Sequence, residues 1–151
     1  MIGPRGRMLL RLVLVLAAAA MVLLLVTRFV AAPWVVLGSS MEPTLLSGDR
    51  VVVDLWSYRS RRPAAGEVAL LLGPEGFSIV KRVVDGPLQD AAAFQPSAWE
   101  GVDPTEDLLE VAGDNPAASD DSRRFGPVPR HRFLGRLLWR YWPLSRMGRV
   151  R

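Results

Sequence analysis

Apolar residues fall along this chain in two arrangements. The first is a single long run. Residues 12–27 read LVLVLAAAAMVLLLVT, sixteen positions without a charge. A bilayer-crossing helix takes roughly 17–25 residues, and Met8 to Leu10 extend the run if Arg11 lays its stem along the apolar surface and its head in the headgroups. The pattern predicts a transmembrane anchor over 8–32 after a short segment, 1–7. A cleaved leader is the alternative, with Arg5 and Arg7 as its basic start and Val30-Ala31-Ala32 as its small-residue cleavage site. Pro33 would then follow the scissile bond, where its ring is poorly accommodated. Trp34 falls where an interfacial aromatic would.

The second arrangement fills residues 33–151, a length that suits one small domain. Here the apolar runs are short and rich in β-branched residues: Arg50 to Leu55, Glu67 to Leu72, Phe77 to Val84 and Leu108 to Ala112. Gly- and Pro-containing turns separate them, at Ser47–Asp49, Pro63–Gly66, Gly73–Gly76 and Gly113–Pro116. Such spacing predicts a mainly β, antiparallel domain. Residues 86–107 are rich in Pro, Ala and acids and read as a long surface loop. His131 to Tyr141 could be a last strand or an amphipathic helix, and Gly135 and the aromatics favour a strand.

Charge sharpens this picture. Arg5, Arg7 and Arg11 precede the long run and no acid does, which places the N-terminus in the cytoplasm and the domain outside it. Residues 83–122 hold ten of the fifteen acids and no cation, whereas Arg123 to Arg151 holds nine arginines and no acid. A basic tail suits nucleic acid or an anionic bilayer, but no nucleic-acid module accompanies it. With Trp139, Tyr141 and Trp142 in the same stretch, a lipid surface and an ordinary solvated face both remain open, as they do for Trp56. Cysteine is absent, which excludes disulfides, thiol catalysis and thiolate zinc sites. With one histidine, His131, a His-rich metal site is excluded too. Neither a metal nor another cofactor is expected.

A hydrolase built from this composition needs a Ser or Thr nucleophile, or an activated water, and a base drawn from His131, Lys81 or a carboxylate. Lys81 is the only lysine among nineteen basic residues. In a strand it shares a face with Ile79 and Val83, while Arg82 shares the other with Val80 and Val84, so one of the two cations lies among apolar neighbours. A half-exposed Lys81 is the bland alternative. Burial lowers a lysine pKa, and a neutral amine near pH 7 is a usable general base. Upstream, Gly38-Ser39-Ser40-Met41-Glu42-Pro43 reads as a stiff bend, because Pro43 keeps Glu42 out of the helical region. Such a bend can present the Ser40 hydroxyl and aim backbone N–H groups at one point. An ordinary turn is made of the same residues. The third polar stretch, Gly113 to Pro129, is either a network that orients the lysine or a solvated loop.

Taken in order, these stretches resemble the type I signal peptidase family. Ser40-Met41-x-Pro43-Thr44-Leu45 looks like its nucleophile box, Gly48-Asp49-x-Val51-x-Val53 its next strand and Lys81-Arg82-Val83 its general-base box. Gly113-Asp114-Asn115, Ser119, Asp121, Ser122, Arg123 and Gly126-x-Val128-Pro129 resemble its last box. The resemblance implies a small antiparallel β domain behind one transmembrane helix, and a membrane-bound serine endopeptidase that removes signal peptides from exported preproteins. It implies Ser40 as nucleophile, Lys81 as general base, Ser119 as the lysine's orienting partner, and Asp121 with Arg123 as an ion pair beneath the site. The Ser40 backbone N–H would serve the oxyanion, and Gly38, Met41 and Pro43 would contact substrate. Its partners would be preprotein signal peptides, with small residues at the −1 and −3 positions, and the bilayer.

Three departures stand out. Gly38 occupies a position where some members carry a serine that donates to the oxyanion. The turn after Lys81 reads Val84-Asp85-Gly86-Pro87-Leu88 instead of the usual Gly-x-Pro-Gly-Asp. Only 31 residues separate Lys81 from Gly113, so the chain is similar to compact members such as mitochondrial inner-membrane peptidases. A dedicated maturation peptidase of one or few precursors is the alternative of the same chemistry. A non-catalytic anchored binding module would not need both Ser40 and Lys81. A self-cleaving repressor would carry a DNA-binding domain where this chain carries its apolar run.

Overall fold

The computed structural model describes residues 4–86, 99 and 107–151. Helix α1 (Pro4–Phe29) carries the long apolar run. Met8–Val26 has a mean hydropathy of 2.9 and none of it is buried against the rest of the chain. The rest is mostly antiparallel sheet. Strands β1 (Ala31–Val35), β2 (Arg50–Asp54), β3 (Val68–Leu72), β4 (Ser78–Val83), β6 (Val111–Ala112), β8 (Phe133–Trp142) and β9 (Gly148–Arg149) form one sheet. Its order is β1-β2-β8-β3-β4-β6, with β9 added on β8. Strands β5 (Leu108–Leu109) and β7 (Val128–Pro129) form a separate pair. Two one-turn helices, α2 (Ser57–Ser60) and α3 (Ser122–Phe125), complete the elements used below.

Local chemistry explains most of this. The β3–β4 hairpin closes where Gly73 N donates to Phe77 O and Gly76 takes φ 79°, a conformation that favours glycine. The central strand β3 is apolar throughout because it is covered on both faces: Ala69 and Leu71 enter a cluster with Tyr58, Val83, Val111 and Phe133, while Val68 and Leu70 enter another with Val36, Met41, Leu45, Val53 and Leu137. Residues 131–141 fall largely in the long strand β8, as Gly135 suggests. A Cβ there would lie 2.5 Å from the carbonyl oxygen of Asp54, so only glycine lets β8 pass β2 this closely.

Three expectations change. The run Leu108–Ala112 is not one strand. The chain switches partners at Glu110, so Leu108 and Leu109 pair with β7 while Val111 and Ala112 pair with β4. The segment read as anchor ends in sheet: Ala31 and Ala32 start β1, paired with Asp54 and Val53. Pro33 is tolerated there because β1 is an edge strand. Trp34 packs against the Val36–Leu137 cluster, where an interfacial position was expected. Most of the expected loop 86–107 lies outside the described residues. Trp99 within it is buried, stacks edge-on against Phe125 and donates Nε1–H to the Phe125 carbonyl.

The arginine-rich tail resolves into specific pairs. Arg123, Arg124, Arg136, Arg140 and Arg146 reach Asp121, Asp120, Glu67 and, for the last two, Asp49. Trp139 and Trp142 remain 42% and 50% exposed, so they are not core residues.

Candidate active site

The loop that carries Ser40 spans residues 38–46. Gly38 has φ 84°, which turns the chain out of β1. Glu42 N donates to Ser39 O and Leu45 N to Met41 O, so the backbone coils once. Met41 and Leu45 are buried and anchor that coil in the core. Ser40 lies between the anchors and is half-buried, and Pro43 is exposed. Of the three residues expected to contact substrate, Gly38 and Pro43 are therefore open and Met41 is a buried floor.

Lys81 sits in the middle of β4, opposite Ala69, and is only 3% exposed. Its neighbour Arg82 points the other way and takes both carboxylate oxygens of Asp114, at 2.8 and 2.6 Å. The strand alternation thus buries the cation that can lose its proton and pairs the one that cannot. Burial pushes the Lys81 amine below its usual 10.5; Asp121 and Asp120 oppose that shift and Arg123 adds to it.

A relay of hydrogen bonds then fixes direction. Lys81 Nζ donates to Ser119 Oγ at 2.8 Å, and Ser119 Oγ donates to Asp121 Oδ2 at 2.7 Å. Asp121 is fully buried. It accepts from Gly113 N at 2.9 Å and from Arg123 Nε and Nη2 at 2.8 and 2.6 Å. Burial alone would raise its pKa, but the Arg123, Gly113 and Ser119 donors outweigh it and bring the carboxyl to about 2. An ionised carboxylate can only accept. The single Ser119 proton is committed to it, and the hydroxyl turns a lone pair towards Lys81.

Gly113 joins the two halves. A Cβ there would lie 2.2 Å from Ser119 Oγ and 2.5 Å from the Ser40 carbonyl oxygen. Both groups therefore converge on a position where only hydrogen fits. The next residues extend the tie: Asn115 N donates to Ser40 O at 3.0 Å and Asn115 Nδ2 to Ser39 O at 3.2 Å. Asn115 and the Arg82–Asp114 pair carried no role in the sequence reading, although they belong to the boxes singled out there.

The structure thus gathers Ser40, Lys81, Ser119, Asp121 and Arg123 around Gly113. His131 stands apart. It lines a cavity of about 900 Å³ with Trp34, Tyr58, Arg59 and Phe133, which includes none of those five residues. Among the described residues no group of three or more His, Cys, Asp or Glu could hold a metal.

Known proteins resemble this chain over most of its length. The family model described as signal peptidase, peptidase S26, matches residues 9–89 and 89–142. The probable signal peptidase I-2 of Synechocystis sp. is 33% identical over 149 residues, covering 82% of this chain and 68% of that protein. The probable signal peptidase I-1 of the same organism is 32% identical over 164 residues, covering 89% of this chain and 84% of that one. Signal peptidase IB of Staphylococcus aureus is 27% identical over 174 residues, covering 91% of each. By the extent of these matches, the chain belongs to the S26 signal peptidase family and is a serine peptidase, a hydrolase.

Proposed function

We propose that this chain cleaves signal peptides from exported preproteins at the outer face of the plasma membrane, using Ser40 and Lys81. The observation that carries this reading is the lysine: a lone lysine, buried in a strand, with a depressed pKa and one oriented partner. A neutral Lys81 has two N–H bonds and one lone pair. Donation to Ser119 leaves the lone pair to take the Ser40 proton as Oγ attacks the scissile carbonyl. The amine then returns a proton to the leaving nitrogen and activates the water that releases the acyl group. Ser119 is a positioning residue, and Asp121 with Arg123 fixes its proton. The Ser40 N–H stands at the loop's turn, where it can stabilise the oxyanion.

The anchor reading of 8–32 keeps its helical part, up to Phe29, with residues 1–7 in the cytoplasm and the sheet domain, which takes in Ala31 and Ala32, outside. Its support is the unburied helix Met8–Val26 with arginines before it. Leu37, Trp142, Leu144 and Met147 are large apolar residues left exposed on the domain, which contact with lipid would cover. A substrate already spanning the bilayer would then meet Ser40 at high effective concentration.

The test is cleavage of a purified preprotein in detergent, with N-terminal sequencing of the product. Wild-type cleavage after a small residue, lost in Ser40→Ala and Lys81→Arg, supports the reading. Arginine keeps charge and bulk but stays protonated. Activity surviving in both variants would place the chemistry elsewhere. A wild type that cleaves one precursor and no general preprotein would favour a dedicated maturation peptidase, which the altered turn after Lys81 also suits.

A further inference from the structure

Asp49 is a buried carboxylate with none of the lysine relay's hydrogen-bond partners, 2% exposed just after the Ser40 loop. A buried charge needs partners, and Asp49 takes them from a distant part of the chain. Arg140 Nη1, from β8, reaches Oδ2 at 3.2 Å, and Arg146 Nη1, from the turn after β8, reaches Oδ1 at 3.2 Å. Leu46 N adds a local donor at 2.9 Å.

The two guanidinium groups do not stop at the carboxylate. Arg140 Nη1 also donates to Thr44 O at 2.8 Å. Arg146 Nη2 donates to Pro43 O and Thr44 O, both at 3.3 Å. Arg140 Nε donates to the Arg146 carbonyl at 2.5 Å, which ties the two arginines to each other. The carbonyls three and four residues after Ser40 are thus held by cations 96 to 103 positions downstream of them. Asn115 in turn holds the carbonyls of Ser39 and Ser40.

We propose that Arg146, seated with Arg140 on Asp49, is a positioning residue that sets the attack geometry of Ser40 through the carbonyls of Pro43 and Thr44. The inference rests on Ser40 being the nucleophile. Met41 and Leu45 fix how deep the loop sits. The loop could still tilt about that axis, and two lateral clamps oppose the tilt. Asn115 is one, and the arginine pair is the other. Misplacement of reacting groups by about 1 Å costs on the order of 100-fold in rate.

A merely structural ion pair predicts something different, and lysine separates the two readings. Arg146→Lys keeps a cation for Asp49 but cannot also hold two carbonyls with a planar fork. The experiment measures kcat, KM and melting temperature for the full-length wild type, Ser40→Ala, Arg146→Ala and Arg146→Lys on one preprotein. Positioning predicts that both Arg146 variants lose about 10- to 100-fold in kcat, with KM little changed. It also predicts that Arg146→Lys melts near the wild type. Restoration of kcat by lysine, or loss of kcat only in step with melting temperature, would overturn the proposal. Cleavage persisting in Ser40→Ala would overturn the Ser40 reading itself, and this proposal with it.

Discussion

The two halves of the site are held in different ways. Lys81 is part of a strand paired on both sides of its length, with β3 throughout and with β6 at its end. Its position follows from the sheet, and its environment is a covered face. Ser40 stands on a coil that makes few hydrogen bonds of its own. It borrows donors from Asn115, Arg140 and Arg146, which come from three other places in the chain. The proposed base is placed by secondary structure and tuned by burial. The proposed nucleophile is placed by tertiary clamps. Perturbing the lysine should therefore change how rate depends on pH, whereas perturbing the serine loop should change the rate at every pH.

Gly113→Ala strikes both halves and carries the largest expected effect. Its methyl group would collide with Ser119 Oγ and with the Ser40 carbonyl. Overpacking of this kind costs about 1–3 kcal/mol, and the cleavage rate should fall by on the order of 100-fold. A Gly113→Ala protein with full activity would separate the two halves that the geometry joins. Next comes Ser119→Ala, which removes the lysine's oriented partner. Cleavage should fall on the order of 100-fold, the lower end of what general acid–base catalysis contributes. Its pH–rate profile should shift, whereas that of Arg146→Ala should keep the wild-type midpoint. Identical profiles in all three proteins would erase the distinction drawn above.

Two smaller effects concern ionisation. The lowered Lys81 pKa means that the folded state binds fewer protons than the unfolded chain between the folded value and about 10.4. Wild-type activity should rise with pH through a midpoint below that free-lysine value, and stability should rise with pH over the same interval. A midpoint near the free value would remove desolvation from the account. Asp121 runs the opposite way. Its folded pKa is about 2 against an ordinary 3.8, so its contribution is complete above pH 4 and is lost as pH falls towards 2. That contribution is about 2 kcal/mol, and it should vanish in Asp121→Asn. Equal acid sensitivity in wild type and variant would argue against it.

Much of the sheet was legible because its strands announce themselves. A run such as Val68–Leu72 is apolar at every position because both faces are covered, and glycine turns mark its ends. Strand β1 was hidden because its apolar residues continue those of the helix, and hydropathy has no boundary between them. The break at Glu110 was hidden because a partner switch leaves no trace in a pattern of five residues. Around the site, alternation put Lys81 and Arg82 on opposite faces, each with valine companions, so it could not tell which cation is buried; the sheet and its covered face decide for Lys81. The roles of Ser119 and Asp121 came through resemblance to a family, and the relay geometry is compatible with them. Asn115 and the Asp49–Arg146 pair were out of reach. Their partners lie 76 and 97 positions away, and no local pattern encodes a contact at that range.

Lys81 is also the chain's only side-chain amine. Amine-directed reagents therefore have one side-chain target on the molecule, and it lies at the head of the relay. The rate at which a small acylating label attaches there, followed by mass spectrometry as pH is raised, reads the protonation of the site without any substrate. Protection of the same nitrogen by an added peptide reads occupancy of the site. A chain nearly devoid of lysine thus carries its own selective chemical reporter.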